Sequence, residues 1–168
     1  MSDTEPEDIS AENDRTTGLG LFNFGHAYWV SAAALEEAQI DATHSDSPIV
    51  YLYYHGIELF LKAFLRARVF SVRDVRQFSH NVGKLGRRAR GEGLDLSDED
   101  LILLKLIAES CKKSRYIETG LYSRPRNEAL WGLCSLLFDL ISQELIQQGS
   151  TNRLPVRPNY PKALKLGH

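Results

Sequence analysis

The sequence is poor in the features that usually give a chemistry away. Among its 168 residues there are two cysteines, Cys111 and Cys134, and neither has a CxxC or Cys/His spacing. A cysteine-built metal site is therefore not expected, and the pair reads as reduced core residues of a cytoplasmic protein. Long uninterrupted apolar runs are missing too. Ile49–Leu65 comes closest, but His55, Glu58 and Lys62 lie inside it and argue against a membrane span. The N-terminal residues carry neither a basic n-region nor an apolar h-region, so they do not read as a signal peptide. No stretch alternates apolar and polar residues as a strand would. Nor is there a glycine-rich phosphate loop after a strand, an HExxH pair or a serine elbow. Neither a metal nor a cofactor is expected.

What is present is ordinary in bulk and uneven in detail. The length suits one domain. The formal net charge of −2 conceals two opposed segments. Residues 1–15 hold six acids against Arg15, and few aliphatic residues. Such a segment is expected to be a disordered acidic tail over 1–17. From Lys62 to Arg90 nine basic residues face Asp74 alone. Arg66, Arg76, Lys84, Arg87 and Arg88 are its candidate basic surface, able to attract phosphates or to be met by the acidic stretch Glu92–Asp100 or the acidic N-terminal tail. Residues 150–168 read as an extended, basic tail with several prolines.

Between the tails, five helices are expected over 18–149, in a mostly antiparallel, up-and-down all-α bundle. The first runs from Leu21 to Ile40, after Gly18 and Gly20 as breakers, with aromatic residues on more than one side. The second, Ile49 to Arg68, follows Ser47 as cap and Pro48 as first residue. The third is capped by Ser71 and continues to the Gly91/Gly93 pair, with weak helicity around His80–Gly83. The fourth starts after Ser97, with Asp98, Glu99 and Asp100 in its first turn. The fifth is capped by Ser123 and stops at Gly149.

The second helix is apolar almost all round, which marks a central buried helix. Its middle nevertheless carries His55, Glu58 and Lys62 on one stripe, with Tyr51 above and Arg66 below. Burying such groups unpaired costs roughly 2–7 kcal/mol for a neutral group and more for a charge. They must satisfy one another and their neighbours, or line a site. Glu58 and Lys62 stand in the favourable i,i+4 order for an internal ion pair.

Four pieces taken in order carry a resemblance: YYHGIELFLKAFL (53–65), FSHNVGKL (78–85), GLDLSD (93–98) and RYIETG (115–120). Together they resemble the HEPN superfamily, the all-helical domain named for higher eukaryotic and prokaryotic nucleotide-binding proteins, and its stand-alone bacterial members in particular. The resemblance implies a four- or five-helix bundle, homodimerisation, and work around nucleotides or RNA. Many members are ribonucleases of toxin–antitoxin and phage-defence systems; others are non-catalytic partners of nucleotidyltransferases. In ribonuclease members an arginine precedes a histidine by a short spacer whose first residue is usually Asn, Asp or His. The histidine acts as base on a ribose 2′-hydroxyl and the arginine stabilises the phosphorane. Arg73, followed by Asp74 and then His80, matches that form. The match opens the third helix rather than a later one, and the only histidine after His80 is His168.

Three functional expectations follow. The first is a non-catalytic helical module that binds a nucleotide, RNA or a partner protein such as an antitoxin or nucleotidyltransferase. Its polar pocket would be formed by Glu58, Lys62, His80, Arg115 and Tyr116, with His55 beside them. The second is a metal-independent endoribonuclease using His80 with Arg73 or Arg115. The third is a structural interaction protein in which the stripe fixes helix register.

Overall fold

A computed structural model describes residues 15–68, 70–115, 123–150 and 154–165, the side chains of 113–115 excepted. Among the described residues the chain is all-helical. The described residues form six helices, α1 (Gly18–Ala38), α2 (Asp46–Ala67), α3 (Val72–Arg76), α4 (Val82–Gly91), α5 (Asp98–Arg115) and α6 (Asn127–Gln147), and a closing 3₁₀ turn at Lys162–Lys165. The expected acidic tail falls mostly on residues 1–14, outside the described residues.

α2 is the hub, packing against each of the other five helices. Tyr53, Ile57, Phe60, Leu61 and Leu65 on it are wholly buried. Ile57, Phe60, Leu61 and Leu65 each contribute roughly 1.5–3 kcal/mol as apolar side chains removed from water. An aromatic cluster fills the space between α1, α2 and α6. The Phe22 ring lies 5.3 Å from Phe60 and 5.2 Å from Phe138, and Trp29 lies 5.4 Å from Trp131. α6 is also long and apolar enough to cross a membrane by length and composition. In this fold its Leu130, Leu133, Leu137 and Ile141 are core residues.

α1 and α2 approach closely because two glycines face each other. A Cβ on Gly56 would stand 3.2 Å from the Gly25 carbonyl oxygen, and one on Gly25 would stand 3.2 Å from that of Gly56 and 3.0 Å from the Phe60 ring. The helix–helix distance is set there by backbone, not by side chains.

Several boundaries differ from expectation. α1 begins at Gly18, so Gly18 and Gly20 are inside its first turn. The Thr17 hydroxyl accepts from the Gly20 N–H at 3.0 Å and secures that end. α2 begins at Asp46, which places Pro48 within the first turn; Ser47 is not its cap. α6 begins at Asn127, not after Ser123: residues 123–126 are not helical, Arg126 is extended, and Pro125 is buried. Arg124 fixes that approach by donating to Asp46 and Asn127, both at 2.9 Å.

The third expected helix is two. Ser71 and Asp74 form a capping box on α3, as Ser97 and Asp100 do at the start of α5. α3 then ends at Arg76, and a turn carries the chain through Ser79 at φ 50° before Asn81 caps α4. The count of long helices is thereby changed, and the fold class is not.

The C-terminal segment 154–165 is docked along α1 and α6. His26 Nε2 donates to the Val156 carbonyl at 2.7 Å, Tyr160 packs edge-on against Trp131, and Pro161 and Leu164 are buried. Arg157 donates to Ser135 at 2.6 Å and to Asp139. Part of the basic charge of this segment is thus neutralised internally.

The glycine contact makes a prediction. Gly25→Ala or Gly56→Ala should lower stability by about 1–3 kcal/mol through overpacking. Gly132→Ala on α6, where a Cβ would meet nothing within 4 Å, should raise it by up to about 1 kcal/mol. Urea denaturation of the three variants checks this; equal effects at all three positions would refute a backbone-limited α1–α2 contact.

Candidate functional site

The site grows from one buried carboxylate. Glu58 lies in the middle of α2 and its side chain is 6% exposed. Its Oε1 accepts from Lys62 Nζ at 2.6 Å and from His80 Nδ1 at 3.0 Å; Oε2 lies 3.2 Å from the same His80 nitrogen. His55 Nδ1 stands 3.7 Å from Oε2, an electrostatic neighbour rather than a hydrogen-bond partner. Burial alone would push the Glu58 carboxyl up. The interactions with His55 and Lys62, and the charges of Lys62 and His80, outweigh it and hold the group at about 2. Glu36, the other buried carboxylate of the core, shows the contrast. Its burial prevails over the Asn127 side chain, and its pKa is raised.

His80 reaches Glu58 because α3 and α4 are separate. The N–H of Ser79 bonds to the Arg76 carbonyl at 2.9 Å and that of Asn81 to the Phe78 carbonyl at 3.0 Å, forming a tight turn. Ser79 sits in the left-handed region, which costs a non-glycine residue roughly 1–2 kcal/mol. Asn81 Oδ1 then accepts from the Lys84 N–H at 3.0 Å, and Leu85 is wholly buried. The four residues thus divide the work. Ser79 makes the turn, His80 meets the carboxylate, Asn81 caps α4 and Leu85 anchors it in the core.

The His80 side chain is 51% exposed. Because a carboxylate only accepts, Nδ1 must carry the proton in that contact, and Nε2 is the nitrogen left for another partner. The ring borders an open groove of about 340 Å³, with Phe78, Asn81, Lys84, Cys111 and Lys112 among the other lining residues. Two ammonium groups and a histidine therefore border one concavity. A second groove, of about 170 Å³, lies further along α2 and is lined by Lys62, Arg66 and Arg76 over an apolar floor that includes Leu21, Leu59 and Val75. Arg66 Nε donates to the Thr16 carbonyl at 2.9 Å, and its guanidinium also to that of Phe70.

The structure brings Glu58, Lys62, His55 and His80 together. Arg73 is exposed on α3 and does not line the His80 groove. Arg115 is the last residue of α5, with its side chain outside the described residues, as is Tyr116 altogether. The expected basic surface divides. Lys84 borders the first groove and Arg66 and Arg76 the second. Arg87 is exposed, and Arg88 pairs with Glu92 at 2.9 Å and covers the Phe70 ring at 4.8 Å.

Sequence reasoning missed Lys112 and treated Cys111 as core, whereas Cys111 is half-buried at the groove wall. Cys134 is wholly buried. Among the described residues no three His, Cys, Asp or Glu side chains are grouped as metal ligands would be. No family model matches this chain, and neither the curated proteins nor the solved structures contain a match to it.

The Glu58 contacts predict a pH signature. A carboxyl held at about 2, against an ordinary value of 4.5, stabilises the fold fully above the ordinary value and loses that contribution as pH falls towards 2. Glu58→Gln should therefore be less stable than wild type by about 3 kcal/mol at pH 7, with the gap closing between pH 4.5 and 2. Urea midpoints across that range measure it; a gap independent of pH would show that the carboxylate charge is not what matters.

Proposed function

We propose that this chain is a HEPN-like helical module that binds the phosphate of a nucleotide or RNA in the His80 groove, without catalysis of its own. The up-and-down antiparallel order of the long helices belongs to that reading. So does the resemblance of the α2 and α3–α4 pieces to the superfamily. One observation carries it: a half-exposed histidine, oriented through Nδ1 by a buried carboxylate, shares an open groove with Lys84 and Lys112. Cationic groups at a concave surface raise the local concentration of anions and orient them by charge. Glu58 does not cancel that field at the surface, because it is buried, its charge is met by Lys62 and it accepts a hydrogen bond from His80.

The test is a charge reversal. Lys84→Glu with Lys112→Glu should weaken the binding of a labelled single-stranded RNA at low salt. It should also reduce the slope of log K against log salt by about 1.4, the loss expected for two phosphate contacts at about 0.7 each. Unchanged affinity and slope would exclude the groove as the anion site.

A second reading is favoured by the same dyad. A histidine whose Nδ1 donates to a carboxylate has Nε2 available to take the proton of a ribose 2′-hydroxyl as that oxygen attacks the adjacent phosphorus and the 5′-oxygen leaves. In that reading the chain is a metal-independent endoribonuclease, with Arg115 stabilising the phosphorane, since Arg73 does not line the His80 groove. Cleavage that persists in EDTA and is abolished by His80→Ala would establish it. A folded wild-type protein that leaves RNA intact would leave the binding and structural-interaction readings standing.

A further inference from the structure

We propose that Tyr51 is the stacking platform for an unpaired base, so that the ligand of the His80 groove is a single-stranded RNA segment lying along α2. The inference rests on the phosphate-binding reading above and deepens it.

Tyr51 is 55% exposed, an unusual state for a large aromatic residue on the central helix of the fold. Its ring is nonetheless held. It lies nearly parallel to His55, with centroids 6.1 Å apart and planes at 14°. His55 is in turn fixed edge-on by Tyr28 at 4.4 Å. The result is a supported aromatic face whose orientation does not have to be ordered when a base arrives. It is also joined to the anion site. Tyr51, His55, Glu58, His80 and Cys111 line one narrow cleft, and His80 and Cys111 are also walls of the groove that holds Lys84 and Lys112.

A flat aromatic face beside a cationic concavity matches a nucleotide, whose base has a π-face and whose phosphate is an anion. A base on tyrosine contributes binding free energy without demanding a particular sequence. Duplex RNA is excluded by the same geometry, since its bases are already stacked and paired. The stripe also outruns one nucleotide. From Tyr51 to Arg66 the helix rises about 22 Å at 1.5 Å per residue. Its far end is the second groove, lined by Lys62, Arg66 and Arg76. The platform and the second groove lie on α2, and the first groove, lined by residues of the α3–α4 turn, α4 and α5, meets α2 between them through the His80–Glu58 contact, the layout of a single-strand path.

The experiment is fluorescence anisotropy with a labelled oligoadenylate, competed by its duplex, by AMP and by inorganic polyphosphate, on the full chain. Tyr51→Ala should weaken single-strand binding about ten-fold, Tyr51→Phe should retain it, and neither should change polyphosphate binding. The duplex and AMP should compete at least ten-fold less well than the single strand. If lysine reversal at 84 and 112 removes binding while Tyr51→Ala leaves it untouched, the platform is overturned and the anion groove survives. Equal loss in Tyr51→Ala and Tyr51→Phe overturns stacking. A duplex or AMP bound as tightly as the oligomer overturns the single-strand path. Failure of wild type to bind either oligomer or polyphosphate overturns this inference and the reading beneath it together.

Discussion

The carboxylate of Glu58 is the constraint on which the rest of this molecule depends. It is a full negative charge in the middle of the most buried helix, and such a group is tolerated only when it is paired and hydrogen-bonded. One partner, Lys62, comes from the same helix one turn later. The other, His80, comes from a separate part of the chain and must be delivered to it. That requirement explains the interruption between α3 and α4, the left-handed Ser79, and the capping Asn81 that restarts the helix. A continuous helix from Ser71 to Gly91 would carry His80 past Glu58 on a fixed helical register. The break lets the ring be aimed independently of the helices on either side.

A buried anion that draws in a histidine also decides the character of the surface outside it. Glu58 uses Nδ1 of His80, so the imidazole presents its other edge beyond the core. Two of the residues around it, Lys84 from the first turn of α4 and Lys112 from α5, are cationic and exposed. The negative charge is satisfied inside while the positive charges stay in water. An ion pair whose only role was to fix helix register would need no such opening. It is the combination of an internally neutralised carboxylate and an open cationic concavity that favours a ligand over a purely architectural role.

Much of this could be read from the residues. The all-helical class, the central helix and the shared stripe of His55, Glu58 and Lys62 follow from period and polarity, and the caps at Ser71 and Ser97 from local hydrogen-bond chemistry. The parts that escaped depend on tertiary placement. Ser79 in a left-handed conformation has no sequence marker like glycine; the conformation is held by the turn around it. Lys112 and Cys111 reach the groove only because Gly83 and Gly86 let α4 settle close to α5, where added Cβ atoms would stand 3.5 Å from Lys105 and 2.4 Å from Leu104. Glycines permit a close approach of that kind, but their presence in the sequence does not say which face of α5 would come near. The prolines of residues 154–165 signalled an extended chain, but not that Tyr160 and Leu164 would find places on the bundle.

The paired glycines of α1 and α2 connect the core to the surface aromatics. With Gly25 against Gly56, the two helices are close enough for Tyr28 of α1 to meet the edge of His55 on α2. His55 then supports the Tyr51 ring on one side and stands 3.7 Å from the Glu58 carboxylate on the other. A close backbone contact in the interior thereby sets the position of an exposed ring. Loosening that contact by a single methyl group would act on the surface through His55, without touching any residue that faces solvent. The exposed tyrosine is in this sense as much a product of core packing as the buried Phe60 of the same helix, and this separates a built platform from an aromatic residue stranded in water.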